Sequence, residues 1–309
     1  MLAKAGLSTD AEDCAIKSLN DHFNLVTNID VFTPIHDDAY IMGKIAACNV
    51  TNDLFAMNAT EVHTYSSFLG LPTDMPEESA VALIRGQIDF LKDIDAKVDG
   101  GHTIINPWPL IGGSASSVVQ KTHMKRKVGV QVGDQLILTK PMGIQPIKAA
   151  YRFIDRNPEY LEGLDLKQLQ LVIDMAVKMM TTSNRDVSKT IVENNLLNAV
   201  HALTDITGFG FRTHMNEMLV NSNLVPKIDF LPVLPLTPDL ANMYGYHLEQ
   251  GLAAETAGAM LIAIDKNQVD EFQTALQKKK IWHRVVGVLQ KLSQIDKKQE
   301  KYRLEEVEY

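Results

Sequence analysis

The chain has 309 residues, of which 45% are hydrophobic and 22% are charged, and its formal net charge is -8. A chain of this length and composition can form two domains, each with a hydrophobic core. The acidic charge and the lack of a long basic run argue against nucleic acid as a partner, since binding DNA or RNA needs clustered Lys and Arg. If the protein binds a polyphosphate, metal ions must supply much of the positive charge.

Nothing in the hydropathy pattern indicates a membrane protein. The apolar stretches are broken by charged residues and fall short of the roughly 20 residues that a membrane span needs. Residues 1–4 lead into no apolar region of the signal-peptide type. We therefore predict a cytoplasmic protein without a membrane partner. Cys14 and Cys48 lie far apart and outside any metal-binding motif, which indicates two buried free thiols.

The first part of the chain alternates between strand and helix patterns. They predict a strand over 23–30, a helix with an acidic first turn over 37–56, a strand over 62–69 and a helix over about 76–95. The segment Gly100-Gly101-His102-Thr103 is predicted to break the chain, and a strand with Gly112 and Val119 follows it. The basic segment from Lys121 to Lys127 marks the expected end of a first domain, residues 1–127.

The remaining residues, 128–309, predict a second alternating α/β unit. Its expected elements are a strand over 134–140, helices around 167–181 and 185–193, a strand over 259–264, a helix from near 268 and a strand over 284–288. The last residues are rich in Lys and Glu, which is typical of a solvated edge or a frayed tail. The whole pattern predicts two domains that mix helices with sheets.

Asp30, Asp53 and Asp205 each follow or join an apolar segment. A carboxylate in such a place is costly unless it is paired or bound to a metal. Mg²⁺ prefers hard oxygen ligands and keeps several waters, so carboxylates that converge on nucleotide phosphates would suit it. For each aspartate taken alone, a turn or helix cap is the competing interpretation.

The motifs of the common phosphate-binding loops are absent from the sequence. Neither GxxxxGK[ST] nor GxGxxG occurs, so a phosphate site would have to be built from other loops and metals. The glycines at 100 and 101 would let backbone N–H groups approach a nucleotide, or they form an ordinary turn. For His102, a hydrogen-bonded loop histidine is the alternative to a catalytic one.

Taken together, the motifs resemble those of the selenophosphate synthetase family, part of the PurM-like (AIR synthase-related) superfamily, over almost the whole chain. Residues 13–16 are similar to the family's Asp-x-x-Val segment, and residues 28–34 to its Thr-Thr-Asp-x-x-x-Pro. Residues 45–57 resemble the helix Ile-Ala-x-x-Asn-x-x-x-Asp-x-x-Ala-Met. Further similar segments are 101–103 with 106–108, 138–141, 184–185, 204–210 and 255–258.

The resemblance implies a role for each matching residue. It places Asp13 and Asp205 on magnesium, and Asp30 and Asp53 on both metal and nucleotide. It assigns the segment Gly101-His102-Thr103 to ATP binding across a homodimer interface. Mg²⁺ and ATP are thus the implied cofactors, and a second copy of the chain and selenide are implied partners.

The resemblance also implies a fold and a reaction. The implied fold is α+β with two PurM-like domains, an N-terminal mixed-sheet domain that forms a barrel in the dimer and a C-terminal α/β sandwich. The implied reaction converts ATP, selenide and water to selenophosphate, AMP and phosphate. Metal-held phosphates would supply the electrostatic stabilisation.

The sequence departs from the family pattern at a few positions. Asn58 stands where the family usually has Gly, and Ala257 and Ala259 stand near a usual Ser-Gly-Gly. The family's glycine-rich segment with a reactive Cys or selenocysteine and a Lys would precede Asp13, where this sequence has only residues 1–12. We expect no catalytic role for Cys14, and we expect the 309-residue chain to fold and dimerise but to make little selenophosphate.

Two alternatives remain at this point. The first is another PurM-like ATP-dependent enzyme of the thiamine-phosphate kinase or aminoimidazole-ribotide synthetase type. The Gly-Gly-His-Thr segment together with Asn106-Pro107-Trp108 favours selenophosphate synthesis over it. The second alternative is a nucleotide-binding dimer without turnover.

Overall fold

The computed structural model describes residues 12–154, 156–292 and 300–309. Two five-stranded sheets organise the chain, one in each half. The first contains β1 (Ala15–Ser18), β2 (Phe23–Phe32), β3 (Thr64–Leu71), β4 (Gly100–Ile105) and β5 (Leu110–Gln120). Its strand order is β1-β2-β5-β3-β4. Only the β3–β4 pair in this sheet is parallel, so the sheet is mixed, as expected.

Two helices, α1 (Ala39–Ala56) and α2 (Glu77–Asp93), pack with the first sheet. Asp38 caps α1 by accepting a hydrogen bond from the Ile41 N–H at 2.9 Å. The predicted acidic first turn is therefore wrong, because Asp38 precedes the helix instead of lying in it. A Cβ at Gly43 would lie 2.1 Å from the Leu83 carbonyl oxygen, so glycine is what allows α1 and α2 to approach so closely.

The second sheet has the order β7-β10-β6-β11-β8, with antiparallel neighbours throughout. Its strands are β6 (Gln135–Leu138), β7 (Val200–Asp205), β8 (Leu224–Ile228), β10 (Met260–Ile264) and β11 (Arg284–Lys291). Every residue of β10 is buried, because apolar side chains cover both faces of this sheet. Among these, Ile262 packs with the core that includes α1, and Leu261 with the core on the other face.

In the part of the chain that the structure describes, six helices belong to the half that contains the second sheet. They are α3 (Ile144–Ile154), α4 (Leu166–Thr181), α5 (Arg185–Glu193), α6 (Gly210–Met218), α7 (Thr237–Tyr244) and α8 (Val269–Lys278). A short parallel pair joins β9 (Leu231–Val233) to β12 (Leu304–Glu306). The expected frayed tail is wrong for residues 300–309, since β12 is paired and Tyr302 is buried against Phe211.

The structure agrees with the α+β prediction and corrects details of it. The segment Gly100–Thr103 is not a turn, because it forms part of β4. Asp30 lies within β2 and not after it. The boundary between residues 127 and 128 stays a prediction. Among the described residues, no helix has the length and the apolar character that crossing a bilayer requires.

Candidate functional site

Three elements that are distant in sequence bring aspartates together. Asp13 precedes β1, Asp53 lies in the last turn of α1, and Asp205 is the last residue of β7. One carboxylate oxygen from each lies within 4.8 Å of the others. We call these three residues the acidic cluster. Three of the four aspartates predicted to bind metal thus converge on one point.

Some oxygens of the acidic cluster lack the hydrogen-bond partners that buried carboxylates normally have. Within the described residues, neither oxygen of Asp205 has a hydrogen-bond partner, and Oδ2 of Asp13 has none. Burial raises the pKa of Asp205 to about 8 and that of Asp13 to about 6. Burial and the charges of Asp205 and Asp30 raise the pKa of Asp53 well above its usual range. The cluster therefore needs protons or a cation to be stable at neutral pH.

Asp30 lies beside the acidic cluster but outside the group of three. Its Oδ2 accepts hydrogen bonds from the side-chain amides of Asn28 at 3.2 Å and Asn49 at 3.1 Å. The same Asn28 amide donates to Oδ2 of Asp53. Burial raises the pKa of Asp30, which these amide bonds partly oppose. Asn28 thus links the two carboxylates of β2 and α1.

Lys127 is a functional neighbour that the sequence pattern did not reveal. Its Nζ lies 2.8 Å from Oδ1 of Asp13 and 3.0 Å from Oε2 of Glu217. Burial alone would lower the pKa of Lys127, but the charge of Asp13 outweighs it and raises the pKa. Thr204 Oγ1 also donates to Oδ1 of Asp13, at 3.0 Å. Both contacts hold the same oxygen of Asp13 and leave Oδ2 unpaired.

The segment Gly101-His102-Thr103 does not reach the acidic cluster within one chain. It lies on β4, an edge strand whose six residues are all exposed. Asp30 and Gly101 lie in one row of cross-strand partners that runs from β2 through β5 and β3 to β4. Three strand spacings, or about 14 Å, separate the two residues. His102 and Thr103 point to opposite faces of the sheet, because successive side chains of a strand alternate.

The two thiols are buried, as predicted. Burial and the charge of Asp53 raise the pKa of the Cys14 thiol, and burial raises that of Cys48 to about 11. A thiol with such a pKa stays protonated at neutral pH and is a poor nucleophile. The absence of a catalytic role for Cys14 stays a prediction.

Comparison with known proteins identifies the two halves of the chain. Residues 11–119 match the family model "AIR synthase related protein, N-terminal domain". Residues 131–295 match "AIR synthase related protein, C-terminal domain". The thiamine monophosphate kinase of Aquifex aeolicus has a similar structure, with a TM-score of 0.73 at 16% identity over 98% of this chain and 97% of the kinase. The hydrogenase maturation protein HypE of E. coli gives a TM-score of 0.68 at 16% identity over 87% of this chain and 80% of HypE.

Relatives with greater sequence similarity narrow the assignment beyond the fold. The chain is 40% identical over 266 residues to a selenide, water dikinase of Methanocaldococcus jannaschii, an alignment that covers 85% of this chain and 76% of the relative. It is 38% identical over 288 residues to that of Methanococcus maripaludis, covering 92% of this chain and 84% of the relative. The chain therefore belongs to the selenide, water dikinase family, within the AIR synthase related proteins.

Proposed function

We propose that the protein is an ATP-dependent selenide, water dikinase that binds Mg²⁺ at the acidic cluster. In this reaction ATP, selenide and water give selenophosphate, AMP and phosphate. The relatives of 38–40% identity support the reaction. The main support for the metal site is that three aspartates converge on one point. Within the described residues, some of their buried oxygens have no hydrogen-bond partner.

The chemistry of the acidic cluster fits Mg²⁺. The group offers only carboxylate oxygens, which are hard ligands, and it contains neither His nor Cys, which would favour zinc. The unpaired oxygens of Asp205 and Oδ2 of Asp13 are the atoms that a cation would satisfy. A bound Mg²⁺ would supply charge neutralisation and Lewis acidity toward the phosphates of ATP.

The residues around the cluster hold its ligands in place. Lys127 and Thr204 fix Oδ1 of Asp13, so that Oδ2 is the oxygen left for the cation. Asn28 and Asn49 hold Asp30 next to Asp53, and we assign Asp30 to the nucleotide and metal from this side. Preorganised ligands avoid the cost of ordering them when the metal and nucleotide bind.

A homodimer completes this proposal, with Gly101-His102-Thr103 of one copy binding the ATP of the other. Within the described residues, the sheet face opposite α1 carries exposed apolar side chains, which supports such an interface. Ile29 is 71% exposed there, and Val31 and Ile104 are also exposed. Val31 and His102 belong to one cross-strand row, so His102 lies on this face. Cytoplasmic location likewise stays a prediction.

Isothermal titration calorimetry of ATP tests the acidic cluster directly. We expect wild-type protein to bind ATP with Mg²⁺ and to lose most of that affinity in EDTA. Asp53→Asn should weaken Mg²⁺-dependent binding, because the amide loses the charge and offers only one oxygen to the cation. The exposed Asp74→Asn is the matched control and should bind as wild type does.

Two further results complete this test. Phosphorus NMR under anaerobic conditions, with ATP, Mg²⁺ and selenide, measures selenophosphate and AMP directly and tests the expectation that this chain makes little selenophosphate. Equal ATP affinity with Mg²⁺ and with EDTA would contradict the metal site. Light scattering that finds only monomers at micromolar concentration would contradict the dimer.

A further inference from the structure

A cavity of about 640 Å³ lies in the second half of the chain, where the ends of α4 and α8 meet the starts of α5 and β11. Thr139 and Lys140, which follow β6, also line it. Its volume falls within the range of about 300–1,000 Å³ that is usual for small-molecule sites. None of its lining residues belongs to the acidic cluster. We call it the basic cavity, for the charges described next.

The lining of the basic cavity is positively charged, although the protein as a whole has a negative net charge. It contains five basic side chains and one carboxylate. The basic residues are Lys140, Lys178, Lys279, Lys280 and Arg284, and the carboxylate belongs to Asp186. In a chain with a net charge of -8, such a cluster is a local region of positive potential. A concave surface of this kind concentrates anions from solution.

Lys140 contributes charge but no hydrogen bond to a ligand, because its buried Nζ donates to three main-chain carbonyls. The other cations make fewer such bonds, although Lys178 donates to the main-chain oxygen of Tyr309 at 3.3 Å. The guanidinium of Arg284 lies 5.1 Å from the centroid of the Trp282 ring, and Nζ of Lys178 lies 5.0 Å from that of Tyr309. An aromatic contact uses the flat face of a guanidinium and leaves N–H groups on its edge for oxygen ligands. Lys279 pairs with Glu193 near the surface, where solvent screening makes an ion pair weak.

The first turn of α5 adds to the positive potential. Residues 183, 184, 186 and 187 line the cavity and include the N-cap, Asn184. The Asn184 side chain does not cap this helix end, although Ser183 Oγ accepts a hydrogen bond from the Arg185 N–H at 3.1 Å. The Asn184 amide is directed elsewhere and donates to Asn52 at 3.2 Å and to the Gly258 carbonyl at 2.8 Å. The partial positive charge of the helix N-terminus thus joins that of the basic side chains.

We propose that the basic cavity binds a small anion that carries one or more phosphate groups. A phosphate offers three oxygens and up to two charges, which matches several separate Lys and Arg donors better than a single carboxylate does. Ser183 adds a hydroxyl donor to the lining, since its Oγ accepts from the Arg185 N–H and its own proton is not used in that bond. Free phosphates and nucleotide phosphates share this chemistry, and different titrants separate them.

The experiment uses the contrast between the two charged regions. Without a metal, the acidic cluster repels polyanions, so any phosphate binding in EDTA reports on the basic cavity. Calorimetry with inorganic pyrophosphate, in EDTA and at low ionic strength, should show binding to wild-type protein. The double variant Lys280→Glu with Arg284→Glu should lower the affinity at least tenfold. Parallel titrations with orthophosphate and AMP identify which source binds more tightly.

Matched variants make the result decisive. Arg85→Glu with Lys92→Glu changes the net charge equally at two exposed positions on α2 and should keep the affinity within about twofold of wild type. Asp53→Asn should bind pyrophosphate as wild type does. If the double glutamate variant unfolds, Lys280→Gln alone should still weaken binding severalfold. Absence of pyrophosphate binding to wild-type protein, or an equal loss in the α2 control, overturns the proposal.

Discussion

The acidic cluster and the basic cavity carry opposite charges, and they differ most in how those charges are surrounded. Asp205 is fully buried and its oxygens have no partner in the described structure. Lys280 and Arg284 are exposed, and water already solvates them. Burial turns a charge into a requirement for a counter-ion, whereas exposure leaves it a weak attraction. The first region should therefore need a cation, and the second should only attract anions.

The two regions are joined by hydrogen bonds through the core. Asn184, at the wall of the basic cavity, donates to Asn52, the neighbour of Asp53 in α1. Thr139 donates to Asn184 and accepts from the N–H of Met260. Met260 in turn is the cross-strand partner of Asp205. These hydrogen bonds lie between the two charged regions, and we expect them to fix the position of one region relative to the other.

Replacing Asp205 with Asn should have the largest effect of the changes considered. Altering a residue behind a metal ligand typically costs 10–100-fold in metal affinity, so losing the ligand itself should cost about 100-fold or more. Titration of Mn²⁺ followed by electron paramagnetic resonance measures this. Pyrophosphate binding in EDTA should not change. A loss of both Mn²⁺ binding and pyrophosphate binding would mean that the two regions are not independent.

The pH dependence of stability should differ with and without metal. The folded-state pKa of Asp205, about 8, lies above its ordinary value of 3.8. A raised carboxyl pKa stabilises the fold below the ordinary value, and this stability is lost as the pH rises toward about 8. In EDTA, the melting temperature should therefore fall between pH 5 and pH 8, by about 2–4 °C for each kcal/mol lost.

Two variants check the origin of this pH dependence. Mg²⁺ should restore the melting temperature at pH 8, because the cation favours the ionised carboxylates. Asp205→Asn should reduce the fall in melting temperature in EDTA, since the amide does not titrate while Asp13 and Asp53 still do. Equal melting temperatures at pH 5 and pH 8 without metal would show that ionisation of the acidic cluster does not destabilise the fold.

Variants of Lys127 test whether this residue affects metal binding mainly by positioning Asp13 or mainly by its own charge. Removing its charge by Lys127→Met takes a cation away from the metal site, which alone would tighten metal binding. It also frees Asp13, which would weaken binding, and we expect this effect to win by about tenfold. Thr204→Val removes the hydrogen bond to Asp13 and a longer one, at 3.3 Å, to the Asp205 carbonyl, and it should weaken binding without any change in charge.

A conservative variant separates these explanations. Lys127→Arg keeps a charged donor near Asp13 and should recover much of the Mn²⁺ affinity. Tighter Mn²⁺ binding in Lys127→Met would show that Lys127 acts only as a competing cation. Melting curves of all three variants in EDTA show whether the fold is intact.

Sequence patterns located the strands and helices better than the contacts between them. The helix α1 and its Asp53 were predicted, because a long helical pattern is a strong local signal. Asp13 was linked to the site only through the family resemblance, whereas Asp205 was also a candidate because it joins an apolar segment. Their convergence depends on how β7 lies against the N-terminal strand and α1, which no local pattern contains. Lys127 was taken for a domain edge for the same reason.

Two errors show how distant partners override local signals. The segment Gly100–Thr103 has two glycines, which are poor strand formers, yet pairing with β3 makes it a strand. Helix α3 was not predicted, and its start is capped from far away. Glu255 accepts hydrogen bonds from the N–H groups of Gly143 at 2.8 Å and Ile144 at 3.1 Å. A cap from that distance cannot be seen in the residues that begin the helix.

We expect salt concentration to have the smallest effect on binding, and its effect can be compared directly between the two regions. Raising KCl from about 50 to about 200 mM shortens the screening length and should weaken pyrophosphate binding to the exposed cations of the basic cavity severalfold. The same change should weaken Mn²⁺ binding at the acidic cluster less, because buried charges are screened less than exposed ones. Calorimetry at matched salt concentrations gives both slopes. Equal slopes would mean that the cluster is as open to solvent as the cavity, and would contradict the burial of Asp205 on which the metal site rests.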